Sequence, residues 1–119
     1  GILGTKALPI VEIISDHQLY DYECKYSKGK SQYKVPADLP EKVTRKIQDD
    51  ALKIYKAIGC RHYGRVDFRL NEKNEHYFLE INTLPGMTST SLLPMAAQAA
   101  GLDFPDLVDT IIKIAMVDQ

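Results

Sequence analysis

Several kinds of sequence feature are scarce or missing, and each absence narrows the function. Neither charge sign is in excess: 15 Lys and Arg stand against 16 Asp and Glu, a formal net charge of −1. No basic surplus suggests a nucleic-acid partner, and no charge block suggests an interaction tail. The longest apolar runs are far too short to span a bilayer, so no membrane partner is expected. Residues 1–14 lack the basic start, apolar stretch and small-residue cleavage site of a secretory signal. Cys24 and Cys60 are the only cysteines. They are too few and too far apart for a disulfide framework or a zinc knuckle, and a reduced cytosolic setting follows as the default. There is no internal repeat, no low-complexity segment and no linker, so 119 residues read as one ordinary domain. There is also no initiator methionine. The chain starts inside an apolar pattern, "GILGTKALPIVEII", which is expected of a piece of a longer protein.

What is present begins with an apolar, β-branched stretch from Leu8 to Ile14, bounded by Gly4 and by Ser15-Asp16, which predicts a strand. The mixed polar and aromatic segment 15–40 predicts a long surface loop with a short strand near Gln32 to Val35. Asp38 as cap, Pro40 and Glu41 in the first turn and Gly59 at the end predict a helix. Its apolar stripe is Val43, Ile47, Ala51, Ile54 and Ile58. Arg61–Leu70 and His76–Asn82 predict a hairpin around "NEKNE", as two period-two runs joined by a short turn. A loop, "TLPGMTSTS", precedes a short helix from Leu92 to Ala100 that ends at Gly101. A last helix, capped by Asp103, runs from Phe104 to Met116 with Leu107, Ile111, Ile114 and Ala115 inward. The expected class is α+β, with helices packed on a mostly antiparallel sheet.

The chemistry concentrates between Gly64 and Leu92. Residues two apart on a strand share a face, so Arg65 and Asp67 belong together, as do Glu80 and Asn82. If the strands pair, four polar groups converge. Two carboxylates and an amide oxygen form a hard, sparse donor set that suits magnesium sharing its remaining positions with phosphate oxygens. Arg65 adds a fixed cation for a transferring phosphoryl group or a developing oxyanion. A solvated sheet face with cross-strand ion pairs explains the same spacing. The loop adds Gly86, where a backbone can approach a ligand closely. Ser91 and Leu92 then open a helix, where exposed N–H groups favour an anion. The plainer alternative is a loop with Ser91 as an ordinary helix cap. His17, His62 and His76 have no ligand spacing between them, and neither cysteine is marked as a nucleophile.

The blocks "LYDYECKY", "PADLPE", "GRVDF", "LEINTLPGMTSTSL" and "AAGLDFPDLVDTII" resemble, in this order, the C-terminal catalytic portion of the D-alanine–D-alanine ligases, enzymes of the ATP-grasp group. Arg-x-Asp followed by Glu-x-Asn is widespread in that group, whereas the "EINTLPGMTSTSL" loop is more specific to the ligase. The resemblance implies an ATP-dependent enzyme that joins two D-alanines through an acyl phosphate. Its cofactors would be ATP and two Mg2+ or Mn2+ ions, held by Asp67, Glu80 and Asn82. It further implies that Arg65 and the Gly86 N–H stabilise the oxyanion, and that Ser91 and the Leu92 N–H hold the second substrate's carboxylate. Lys25 would neutralise substrate charge from a closing loop, and Tyr26 would hydrogen-bond near the substrates. A tyrosine at that place resembles the dipeptide-forming ligases more than those that make a D-lactate ester.

The same resemblance implies a bacterial cytoplasmic role in peptidoglycan precursor synthesis, and so in cell-wall biogenesis and cell shape. It implies D-alanine and the missing N-terminal and central parts of the enzyme as partners, with a homodimer possible for the whole. Residues 1–119 contain no glycine-rich phosphate loop and no strand with a basic pair. They are therefore expected to form the C-terminal lobe of an ATP-grasp ligase, inactive alone, because catalysis needs the complete set of positioned groups. The competing expectations are a non-catalytic module derived from an ATP-grasp enzyme, and a different ATP-grasp amide ligase. The anion loop around Ser91 argues against the latter.

Overall fold

The hydrophobic residues sort onto two sides of a small sheet. In the computed structural model, which describes residues 1–15 and 31–117, strands β1 (Ile2–Leu3), β2 (Lys6–Ala7), β5 (Tyr63–Leu70) and β6 (His76–Asn82) form one sheet in the order β2-β1-β5-β6. Every pairing in it is antiparallel. Strands β3 (Glu12–Ser15) and β4 (Ser31–Lys34) form a separate antiparallel ribbon. Helix α1 (Glu41–Ile58) is followed by the β5–β6 hairpin and then by α2 (Leu92–Ala99) and α3 (Phe104–Val117). Among the described residues no helix is long and apolar enough to cross a membrane.

Side chains alternate across a strand, so neighbours on β1 enter different cores. Ile2 packs with Ala51 and Tyr55 of α1, joined by Val66, Phe68 and Ile81 of the hairpin. Leu3 packs with Leu8, with Leu93, Ala96 and Ala97 of α2 and with Leu107 of α3, joined by Tyr63. Thus α1 covers one face of the sheet, and α2 with α3 covers part of the other. The α+β class with helices on an antiparallel sheet is what the chain adopts.

Local sequence explains most of the boundaries. Gly59 closes α1 in the left-handed conformation, φ +83°, which a side chain would strain. Asp103 Oδ1 accepts the Asp106 N–H at 2.9 Å, the expected cap of α3. At the hairpin turn Asn71 Oδ1 accepts the N–H groups of Lys73 and Glu75, each at 2.9 Å, which fixes the reversal.

Three expectations need correction. Asp38 does not cap α1: Pro40 holds that place, without a side-chain cap. Asp38 is used elsewhere, its N–H donating to Glu12 Oε1 and its carboxylate lying 3.5 Å from Lys34 Nζ. The strand expected over Leu8–Ile14 is confined to Glu12–Ser15. Pro9 has no N–H for a ladder, and Leu8 is buried in the core. Two short strands precede it instead, turning at Gly4 with φ +65°. On α1, Tyr55 rather than Ile58 completes the buried stripe.

Candidate functional site

The hairpin register brings the four polar residues together. Arg65 lies opposite Asn82 and Asp67 opposite Glu80. Directly opposed residues share a face, so all four project from the side of the sheet away from α1. That side starts as core at Tyr63 and becomes polar two residues later, where it passes beyond the α2–α3 cluster. After Asp67 the ladder slips by one residue, the signature of a β-bulge, and such breaks re-aim side chains next to functional sites.

Arg65 grips Asp67 with two hydrogen bonds, Nε to Oδ1 at 2.8 Å and Nη2 to Oδ2 at 3.0 Å. This bidentate fork fixes both side chains. Glu80 Oε1 is 3.8 Å from Arg65 Nη2, and its side chain is 65% exposed, so it is the freest member of the set. Asn82 Oδ1 accepts the Leu84 N–H at 3.0 Å, which aims the amide and pins the start of the following loop.

These oxygens fit a divalent cation. A carboxylate offers about four lone-pair sites and an amide oxygen two. The Arg65 fork uses two on Asp67 and the Leu84 N–H one on Asn82, leaving acceptor capacity on all three side chains. Among the described residues no cluster of three His, Cys, Asp or Glu side chains could hold a metal. A set of two carboxylates and one amide would leave most positions of such a cation to non-protein oxygens, as magnesium sites usually do.

The loop from Thr83 to Ser91 carries the second half. Pro85 is buried, which anchors it. Gly86 approaches Ser91 so closely that a Cβ added there would lie 2.9 Å from Ser91 Oγ. Its lack of a side chain is thus required by that contact. Ser91 occupies the cap position of α2, yet its hydroxyl makes no cap bond into the helix. It turns back to the loop: the Thr88 N–H donates to Ser91 Oγ at 2.9 Å, and Thr88 Oγ1 lies 2.7 Å from it. Leu92 and Leu93 therefore open α2 without a serine cap, with N–H groups that have no partner within the helix. Pro94 supplies no N–H there. Spacing had marked Gly86, Ser91 and Leu92 but missed Thr88; the available signal was Thr-x-x-Ser at a helix start.

Lys25 and Tyr26 lie outside the described residues, as do His17 and Cys24. His76 is structural: its Nε2 is 2.6 Å from Asp50 Oδ2 of α1, tying the hairpin to the helix. That hydrogen bond is the largest cause holding the Asp50 carboxyl below its ordinary value, with Lys46, the His76 charge and Lys53 adding to it against partial desolvation.

A family model described as "D-ala D-ala ligase C-terminus" matches residues 1–113. This chain belongs to the D-alanine–D-alanine ligase C-terminus family. Among its relatives, the D-alanine–D-alanine ligase of Aquifex aeolicus is 50% identical over 112 residues, covering 94% of this chain and 38% of that protein. The ligase of Vesicomyosocius okutanii is 53% identical over 113 residues, covering 95% and 39%. A crystal structure of the Bacillus anthracis D-alanine–D-alanine ligase complexed with ATP superposes with a TM-score of 0.80 at 37% identity, over 97% of this chain and 37% of that one. The VanG D-Ala:D-Ser ligase of Enterococcus faecalis superposes at 0.74 with 33% identity, over 94% and 34%. The chain spans less than two fifths of the length of these ligases. Their shared fold makes this family member part of an ATP-grasp architecture.

Proposed function

We propose that residues 1–119 are a single domain, the C-terminal catalytic lobe of an ATP-dependent ligase that joins two D-alanines for peptidoglycan precursor synthesis in the bacterial cytoplasm. One observation carries this reading: Arg65, Asp67, Glu80 and Asn82 stand in register on one sheet face, followed by a loop that bonds Ser91 to Thr88 and leaves the start of α2 without a serine cap. Family membership supplies the reaction class.

In this reading Asp67, Glu80 and Asn82 hold two Mg2+ or Mn2+ ions, whose charge offsets that of the terminal phosphates of ATP. Arg65 is the fixed cation beside the carboxylate of the first D-alanine as it attacks the γ-phosphate to form an acyl phosphate, the bond to the β-phosphate breaking and ADP leaving. The second D-alanine amine then attacks the acyl carbon, and the tetrahedral oxyanion is met by Arg65 and the Gly86 N–H. Phosphate leaves and the peptide bond remains. Ser91 and the Leu92 N–H hold the carboxylate of the second D-alanine, which orients its amine. Lys25 neutralises substrate charge, and Tyr26 hydrogen-bonds near the substrates. The remaining parts of the enzyme supply the other walls of the site. Tyr77 and Leu79 on the outer strand β6 are 55% and 61% exposed, which supports a face completed by further protein.

The test is D-alanine-dependent release of ADP from ATP and magnesium by the full-length ligase that carries this lobe, with Glu80→Gln as comparison. Removing one such electrostatic group is expected to lower turnover about 100-fold or more. The isolated 119-residue chain should release no ADP above background, while a folded full-length ligase with no response to D-alanine would overturn the assignment. D-serine is offered in parallel, because the lobe is also similar to a D-Ala:D-Ser ligase. A preference for it would change the acceptor but keep the reaction.

A further inference from the structure

We propose that Thr88 is a positioning residue, one that commits the single Ser91 hydroxyl proton to the carboxylate of the acceptor amino acid. The inference rests on the assignment of Ser91 to that carboxylate. It goes beyond that assignment by explaining how the hydroxyl is kept in a donating state.

The bonds around Ser91 Oγ can be counted. A serine hydroxyl has one hydrogen and two acceptor lone pairs. The Thr88 N–H, at 2.9 Å, uses one lone pair. Thr88 Oγ1, at 2.7 Å, makes a second short bond in which either oxygen can donate. If Ser91 donates to Thr88, only a lone pair is left for an incoming group, and a lone pair repels a carboxylate. If Thr88 donates to Ser91, the acceptor side of Oγ is full and its hydrogen points to the remaining partner. A carboxylate accepts and cannot donate, so its arrival selects the second arrangement.

The surroundings favour the same polarity. Thr90 Oγ1 is 3.5 Å from Thr88 Oγ1, at the outer limit of a hydrogen bond, where its hydrogen can complete a chain running from Thr90 to Thr88 to Ser91. Hydrogen bonds aligned head to tail strengthen one another. Gly86 closes the other side of Oγ, since a Cβ there would lie 2.9 Å away. The Ser91 N–H donates to the Thr88 carbonyl at 3.1 Å, so backbone bonds hold the two residues face to face whatever the Thr88 side chain is.

That last point makes the role testable, because Thr88→Val keeps the branched shape and the backbone bonds and replaces the hydroxyl with a methyl group that can neither donate nor accept. In the full-length ligase, Thr88→Val is expected to raise KM for the acceptor D-alanine by about three- to tenfold, the worth of one net hydrogen bond. The value of kcat should change by less than about twofold, as for an interaction made equally before and during reaction. Thr88→Ser restores the hydroxyl and should restore KM. The double variant Thr88→Val with Ser91→Ala should be no worse than Ser91→Ala alone, since both changes remove one linked interaction. An unchanged KM in Thr88→Val alongside an impaired Ser91→Ala would overturn the inference, as would effects that multiply in the double variant. Thr88 is exposed, and Thr88→Ala repeats the measurement if the valine variant folds poorly. No D-alanine-dependent turnover in the unmutated ligase would be a different result: it would sink the ligase reading, and this inference with it.

Discussion

The two faces of β5 have the same backbone and opposite fates. Toward α1 the strand presents Gly64, Val66 and Phe68, and the hairpin there packs through Ile81 onto Ile2, Ala51 and Tyr55. On the other side it presents Tyr63, partly buried against the α2–α3 cluster, and then Arg65 and Asp67, which hydrogen-bond to each other. The first face converts apolar area into stability. The second puts three carboxyl or amide groups and a guanidinium side by side, polar atoms that add little apolar burial. Changes on the two faces should therefore separate stability from activity.

The largest expected effect is on the α1 face. Tyr55 is 5% exposed, and Gly64 lets its ring lie against β5: a Cβ on Gly64 would be 3.4 Å from the ring. Tyr55→Ala should destabilise the chain by about 3–5 kcal/mol, the usual cost of deleting a buried aromatic ring, measured by urea unfolding. In a small domain this takes a large share of the total stability. A loss below about 1 kcal/mol would mean that the ring is not part of the core.

A smaller effect is expected at the edge of the same face. The His76 and Asp50 side chains are 14% and 27% exposed, buried enough for their hydrogen bond to count. Asp50→Asn should cost about 1 kcal/mol at neutral pH. The Asp50 carboxyl is held below its ordinary value of 3.8, chiefly by the His76 hydrogen bond. A depressed carboxyl stabilises the fold above its unfolded value, and that contribution disappears as pH falls through its lowered folded value. The difference between the parent and Asp50→Asn should therefore be constant above the ordinary carboxylate range as far as Asp50 is concerned and shrink as pH falls below it. Urea unfolding at several pH values checks this, and a gap that widens in acid would contradict the pairing.

Sequence pattern made one face far more legible than the other details. The hairpin was readable because period-two alternation and the turn "NEKNE" agree, and its register then followed from turn geometry. The Asp103 cap was readable because only local bonds are involved. Asp38 looked equivalent, but its carboxylate pairs with Lys34 four residues back, and its N–H goes to Glu12, 26 residues away. Tertiary contacts of that kind leave no local mark. Strands β1 and β2, of two residues each, are too short to show a period. On α1, helical spacing allowed either Ile58 or Tyr55 inward, and packing against Ile2 and the hairpin, on other elements, decides for Tyr55. At the site, residue types and spacing identified which groups meet. They did not reveal that Ser91 turns toward Thr88 instead of capping α2, because both arrangements place a serine at the same position.

The smallest stability effect is expected where the functional effect is largest. Glu80 is 65% exposed and 3.8 Å from Arg65, so its attraction to the guanidinium is largely screened by solvent. It also stands directly opposite Asp67, and like charges facing each other across a ladder are unfavourable. Arg65 already gives its short bonds to Asp67, which leaves Glu80 with repulsion that little offsets. Glu80→Gln removes the charge and keeps the shape, so the unfolding free energy should stay within about 0.5 kcal/mol of the parent and, if it moves, should rise. Turnover by the full-length ligase should meanwhile fall steeply. Activity lost at no cost in stability is the behaviour of a group retained for its ligand rather than for the fold. A loss above about 1 kcal/mol in Glu80→Gln would show instead that the polar face holds the hairpin together, and the contrast between the two faces of β5 would collapse.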